Sequence, residues 1–316
     1  DENRKNMSAI TSITMATLTV DNVQKVMRAG MKCINKKVGE LLRDELGINP
    51  LTQQHAAYLT SVSGTVASTA FISCTTGRES AGYFPDEAFR LYLRTFFGAG
   101  LQNEEPLVRI CECGKIIGPE CCKFHALAEC SLPVPEKTRL HNEVRDLLHR
   151  LMKAVRGFEG IKMEQIVGQI VTPGRNGGPD HVKDVRTDII CTAGAENLKI
   201  DVAIAHPCAQ IYMRHPHFSH MHRDAAAICT EGRKRTYYGR VTQPAPIPPG
   251  SVIPFALEST GRLGPSALSF LHRVCGSQTY RRSIFLSEVA VLCARYQGKI
   301  LMATRNRYNT RHQNGV

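Results

Sequence analysis

The sequence predicts a mixed α/β fold, and three observations carry that prediction. From about residue 137 onward the apolar pattern runs helix, strands, helix, strand and two more helices, an order that suits a layered sheet better than a bundle. The first hundred residues carry helical spacing instead. Between the two lies a connector, residues 103–136, dense in Cys, Gly and Pro. The expected organisation is a helical region at 1–105, a cysteine-rich knuckle and linker at 106–136, and an α/β domain at 137–316.

In the first region, Val23, Val26, Met27, Met31, Val38, Leu41, Leu42 and Leu46 fit one buried helical face, which Asn49-Pro50 ends. Residues 52–73 are small and apolar enough for a second helix. Pro85-Asp86-Glu87 opens a third, with proline in the first turn and acids at the positive end of its dipole. No chemistry is legible there. In the α/β part, Val144, Leu147, Leu148, Leu151, Met152 and Val155 line one side of a helix at about 137–157. Short strands follow at 163–171, 188–191 and 199–205, the last two separated by an Ala-Gly-Ala turn. A helix at 224–238, a strand at 252–257 and helices at 265–274 and 283–298 complete the order. The end, RNRYNTRHQNG, is basic and polar and is expected to fray.

Composition narrows the partners. Lys and Arg number 40 against 28 Asp and Glu, a formal charge of +12 that favours a polyanion. No stretch approaches the ~20 apolar residues of a membrane span. The start, DENRKNMSAI, lacks the basic-then-apolar order of a secretory signal, so the 12 cysteines are expected in a reducing compartment. There, clustered cysteines point to metal. Cys111, Cys113, His125 and Cys130 form C-x-C…H-x4-C, a soft donor set suited to a closed structural Zn²⁺ site. Cys121 and Cys122 lie inside the same loop, and either is an alternative ligand.

Two strands each carry one acid, Asp188 in VRTDIIC and Asp201 in KIDVAIAHP. Paired as a hairpin, they bring two carboxylates close, and closeness of like charges calls for a cation between them. Hard oxygen ligands of this kind hold Mg²⁺ and support hydrolysis of a phosphodiester. The helix after them supplies Lys234, with Tyr238 four residues on and so on the same face. From spacing alone, a turn cap, an edge-strand charge and a solvated lysine are the commoner explanation of these residues. Arg233 and Arg235 beside Lys234 suit phosphate contacts without base reading.

Six short boxes in order give a more specific signal. They are the helix Phe89-x-x-x-Leu93-Arg94 leading to Cys111-Glu112-Cys113-Gly114 with His125 and Cys130; Arg139-Leu140-His141-Asn142; Arg186-Thr187-Asp188; Asp201-Val202-Ala203; Glu231…Lys234-x3-Tyr238; and Phe255…Glu258 with Gly261. In this the chain resembles the C-terminal part of reverse-transcriptase proteins of non-LTR (LINE-type) retrotransposons that carry a restriction-like endonuclease. The resemblance implies a PD-(D/E)xK core, a mixed sheet flanked by helices, preceded by a CCHC zinc knuckle and helices that follow a polymerase. It implies Asp188 and Asp201 as ligands of Mg²⁺ or Mn²⁺, and Lys234 as the motif lysine displaced from strand to helix. Glu164, with Glu143 behind it, is the candidate for a third acid, and His141 and Arg186 are candidate DNA contacts. The implied function is nicking of target DNA in the nucleus, the freed 3′ end priming a reverse transcriptase in cis on element RNA. The alternative is a zinc-containing remnant that binds nucleic acid and does not cut. Three departures stand out: no palm motif with paired aspartates is legible in this sequence, no proline precedes Asp188, and Leu140 separates Arg139 from His141.

Overall fold

In a computed structural model of the 316-residue chain, the described residues are 50–62, 85–96, 109–111, 113–117, 124–173, 180–214, 216–248 and 250–313. The helix expected at 21–46 lies outside them, as do Cys121 and Cys122. The elements are α1 (Pro50–Val62), α2 (Asp86–Phe96), a small hairpin of β1 (Arg109–Ile110) and β2 (Ile116–Ile117), and a π-helical turn at His125–Glu129. Then come α3 (Val134–Ala154), β3 (Glu159–Thr172), β4 (His181–Ala193), β5 (Glu196–Ala205), α4 (Gln210–Met213), α5 (Ala225–Tyr238), β6 (Val252–Glu258), α6 (Pro265–Cys275) and α7 (Thr279–Gln313).

The larger sheet is four-stranded in the order β3-β4-β5-β6, antiparallel across the first two pairings and parallel between β5 and β6. It is a mixed sheet flanked by helices. Alternation sorts the β5 side chains. Ile200 and Val202 join Leu148, Phe255, Phe270, Phe285 and Val289 in the main core beneath α3, α6 and α7. Asp201, Ala203 and Ala205 face the other way, where Ala203 and Ala256 meet Ala227 of α5. Three methyl groups at that contact let α5 lie close to the strands.

The β4–β5 turn is the expected one, with Gly194 at φ +61° where a side chain would be strained. Strands β3 and β4 run well beyond the expected 163–171 and 188–191. The added residues are mostly polar because this long ribbon is half exposed, so apolar alternation understates it. The chain end also differs from expectation. It does not fray at 305 but continues α7 to Gln313, because Ile300 and Leu301 are buried against Leu91 and Leu127 and Arg305 pairs with Glu87 of α2.

Helix α1 is built into the α/β body. Tyr58 donates its hydroxyl to Gln297 at 3.0 Å, Arg262 Nε donates to the Ser61 carbonyl at 2.6 Å, and the Ser61 hydroxyl bonds the buried Glu258 carboxylate. Tyr58, Tyr92, Phe124, Met213 and Ala294 share one apolar cluster. These helices therefore fold with the sheet.

One close approach fixes the ribbon against the rest. Gly168 sits at a register shift in β3, and the segment after α5 crosses it, with Gln169 N–H donating to Gln243 at 2.8 Å. A Cβ on Gly168 would meet the Gln243 carbonyl at 2.8 Å and collide with the Val241 side chain. Gly168→Ala is expected to cost about 1–3 kcal/mol. Urea unfolding would read this as a lower midpoint at unchanged m-value.

Candidate functional site

Pairing between β4 and β5 runs from Ala193 and Glu196 back to Ile189 and Ile200, and there it stops. Beyond that point the β5 peptide groups that face β4 are satisfied by side chains. The Val202 N–H donates to Asp188 Oδ2 at 2.7 Å, His141 Nε2 meets the Val202 carbonyl at 3.0 Å, and the Thr187 hydroxyl donates to the Ile200 carbonyl at 2.8 Å. Asp188 is thereby fixed in the gap between two strands. The Asp201 carboxylate lies within hydrogen-bond reach of it. Lys234 Nζ reaches Asp201 Oδ2 from α5 at 2.8 Å. Tyr238, one turn along the same helix face, donates its hydroxyl to the Arg186 carbonyl at 2.8 Å and also touches Asp201.

The electrostatics follow from burial and crowding. Asp201 is 6% exposed, and burial lifts its carboxyl to about 6; Lys234 opposes that rise and Asp188 adds to it. Burial also acts to raise Asp188, but the His141 imidazole, together with Asp201 and the Val202 N–H, outweighs it and holds Asp188 below the ordinary value. Burial acts to lower His141, yet Asp188 at 3.3 Å raises it overall. Its other nitrogen faces Asn142 Oδ1 at 3.3 Å, so both ring nitrogens look at acceptors and the imidazolium is favoured. Burial raises the Tyr238 hydroxyl, next to the Asp201 charge, so it stays a donor.

Helix α5, which carries Lys234, is held by two glutamates, one at its start and one at its middle. Its first residue follows Asp224, which makes no side-chain cap bond. Glu258 at the end of β6 takes the Ala226 N–H at 3.2 Å instead. Further along, Glu231 caps the next helix, accepting the Ser266 N–H at 2.9 Å, the Ser266 hydroxyl at 2.8 Å and the Ala267 N–H at 3.4 Å. Gly264 makes this possible, since a Cβ there would run into the Glu231 carboxylate and approach Ala227 Cβ to 3.1 Å. Sequence reasoning placed Glu231 and Glu258 only as box residues. Little signal for this stood in the sequence, since Asp224 before Ala225 is itself a favoured cap residue and only Gly264 before Pro265 lacks a capping side chain.

Other expected residues lie elsewhere. Glu164 has φ +53° and its carboxylate is bound by Arg145 of α3, with the side chain largely exposed. Glu143 turns away to Arg295 and Tyr296 of α7. No bond joins either to the aspartate pair among the described residues. Arg186 and Arg233 are exposed, whereas Arg235 bonds Ser266 and lies 3.6 Å from Glu231.

The second centre is the knuckle. Cys111, Cys113, His125 and Cys130 each offer one ligand atom, and the four atoms all lie within 4.8 Å of one another. Cys111 Sγ and Cys130 Sγ are 3.7 Å apart, and Cys113 Sγ and His125 Nε2 are 3.2 Å apart. A tetrahedral zinc with bonds of about 2.3 Å to sulfur needs sulfur atoms roughly 3.8 Å apart, so the set fits a structural metal such as zinc. Two local devices build it. Gly114, at φ +85°, turns the β1–β2 hairpin so that Cys111 and Cys113 converge. The π-helical turn closes on a Cys130 N–H to His125 carbonyl bond of 2.8 Å, which brings the two ends of H-x4-C together. Lys137 Nζ donates to the Cys130 carbonyl at 3.0 Å, placing a cation beside thiolates.

No protein-family model matches this chain, and no curated protein sequence matches it. Among the described residues, no helix is long and apolar enough to cross a membrane.

Two outcomes follow from this geometry. Purified chain is expected to carry about one zinc, lost in Cys113→Ala, as elemental analysis would show. In metal-free buffer, Asp201 contributes stability that is full below its ordinary value of 3.8 and is lost as pH rises through about 6. Asp201→Asn is expected to remove that loss and to raise stability at pH 8 by up to about 3 kcal/mol, measured by urea unfolding across pH.

Proposed function

We propose that this chain is a divalent-metal-dependent endonuclease that nicks DNA, built on a restriction-like PD-(D/E)xK core. The observation that carries the reading is the joint placement of Asp188, Asp201 and Lys234, with 2.8 Å between the lysine and Asp201. Paired carboxylates repel unless a cation joins them, and their oxygens are hard donors of the type that holds Mg²⁺ or Mn²⁺. Such an ion, when bound, polarises a water and offsets charge on a phosphate. Lys234 orients the attacking water through Nζ and balances charge that builds on the phosphate oxygens. His141 and the Val202 N–H keep the Asp188 carboxylate in place beside Asp201. Hydrolysis forms one phosphorus–oxygen bond to water and breaks the ester bond, leaving a 3′ hydroxyl.

The six boxes in order extend the proposal to origin. The chain is the knuckle and nuclease portion of a non-LTR retrotransposon protein, acting in the nucleus on target DNA. Its partner in cis is a reverse transcriptase that extends the freed 3′ end on element RNA. The exposed Arg186 and Arg233 and the net +12 suit phosphate contacts. A second reading, binding without cutting, draws on Glu164: Arg145 holds it, so among the described residues no third acid joins the pair.

Nicking of supercoiled plasmid with Mg²⁺ or Mn²⁺ is expected for the wild type. Asp188→Ala, Asp201→Ala and Lys234→Ala are each expected to reduce it by about 100-fold or more while gel-shift binding persists. Binding with no nicking by any protein, wild type included, would leave the second reading. Undiminished nicking by the variants would remove the site.

A further inference from the structure

Lys137 stands where a cation is costly on three counts. It closes the first turn of α3, near the positive end of the helix dipole, where acids are favoured and cations are not. It is half-buried, so its ammonium loses part of its hydration. Among the described residues it makes no ion pair. Its one hydrogen bond goes to the neutral Cys130 carbonyl at 3.0 Å, and the nearby His206 ring is kept neutral by burial. Neither the helix nor its surroundings on that side supply a compensating acid.

What faces Lys137 is the knuckle, and the Cys130 thiol is the acidic group whose charge reaches it. Cys130 Sγ lies 3.7 Å from Cys111 Sγ, within the four-atom set that fits a metal. Ligation takes cysteine as thiolate and histidine as the neutral ring. Zn²⁺ held by this set therefore sets two positive charges against three negative ones, and the centre is an anion. Cys111 and Cys130 are buried, so water screens that charge little. The other lysine at the knuckle answers it poorly. The Lys115 side chain is 58% exposed and its Nζ is engaged by Glu129 at 3.2 Å. A surplus negative charge at the ligands and an unmatched positive one on α3 thus lie side by side.

We propose that Lys137 is the counter-charge of the zinc centre, stabilising its anionic three-thiolate form and so setting how tightly the chain holds zinc. Each charge removes the cost of burying the other. Lys137 does not touch the metal; it is a positioning residue that acts through Cys130, as groups outside a ligand set commonly tune it. The contact also seats α3 one turn before His141, the residue that bears on Asp188. The inference rests on zinc being the metal of the knuckle and is independent of the nuclease reading.

The test is the zinc affinity of the full chain, measured by competition with a chromophoric chelator at neutral pH. Lys137→Met keeps the length and the apolar stem but loses the charge, and is expected to bind zinc about 10–100-fold more weakly. Lys137→Arg keeps the charge and is expected to bind as the wild type does. Lys115→Met is expected to change affinity by no more than about threefold, because water and Glu129 already screen that lysine. Circular dichroism at saturating zinc is expected to superimpose for all four proteins, so that the loss is one of affinity and not of fold. Charge is separated from fit by Cys113→His, whose two thiolates and two imidazoles make a neutral zinc centre. In that chain Lys137→Met is expected to weaken zinc binding by no more than about threefold. Wild-type zinc affinity in Lys137→Met would overturn the proposal, as would a loss in Lys137→Arg equal to that in Lys137→Met. An undiminished loss in the Cys113→His chain would overturn it too. A wild-type chain that takes up no zinc would remove the metal reading of the knuckle and the proposal with it.

Discussion

The parting of β4 from β5 at Asp188 sets what the rest of this structure must do. A strand that loses its neighbour in a buried place has peptide groups that still need partners. Here Asp188 takes the Val202 N–H, while His141 and Thr187 serve the Val202 and Ile200 carbonyls. Each replacement restricts a side chain. The Asp188 carboxylate cannot turn away without freeing a buried N–H, and His141 cannot leave without freeing a carbonyl. That is how a carboxylate is kept beside Asp201 against their repulsion.

Placing the lysine is a problem of helix position, since Lys234 comes from α5 and not from the strand that bears Asp201. Alanines at the α5 contact set its height over the sheet, and the Glu258 and Glu231 bonds set its position along the axis. The Glu258 carboxylate is 1% exposed, and burial lifts it to about 7, with Ser61 and Arg262 opposing that rise. Through Ser61 the same group reaches α1, so residues far from the sheet take part in holding α5. Helix α1 is in this sense part of the site's support.

Much of this was legible in the sequence and some was not, for definite reasons. Strong 3.6-residue apolar spacing fixed the long helix of Leu140, Val144, Leu147 and Leu148, whose observed bounds lie within about three residues of those expected. The knuckle was legible because clustered cysteines and a histidine at short spacing are a donor set suited to zinc. Lys234 and Tyr238 could be placed on one helix face from their separation of four. Glu164 shows the limit. The resemblance called for an earlier acid and pointed to it in the strand before the hairpin, but a left-handed backbone and Arg145 claim it, and neither is written in the local pattern. Nor does periodicity register an end that is polar in sequence yet anchored by Ile300, Leu301 and Arg305. The splayed strands were invisible too, because they depend on which partner a peptide group finds across the fold.

The central claim is that Asp188 and Asp201 share a divalent ion beside Lys234. The most direct measurement is the anomalous difference density of crystals soaked in Mn²⁺, collected on the wild type and on Asp188→Asn. The account predicts one peak between the two carboxylates, close enough for oxygen ligation, and its loss in the variant. A map with no peak there at saturating Mn²⁺, or with manganese bound only elsewhere, would contradict it.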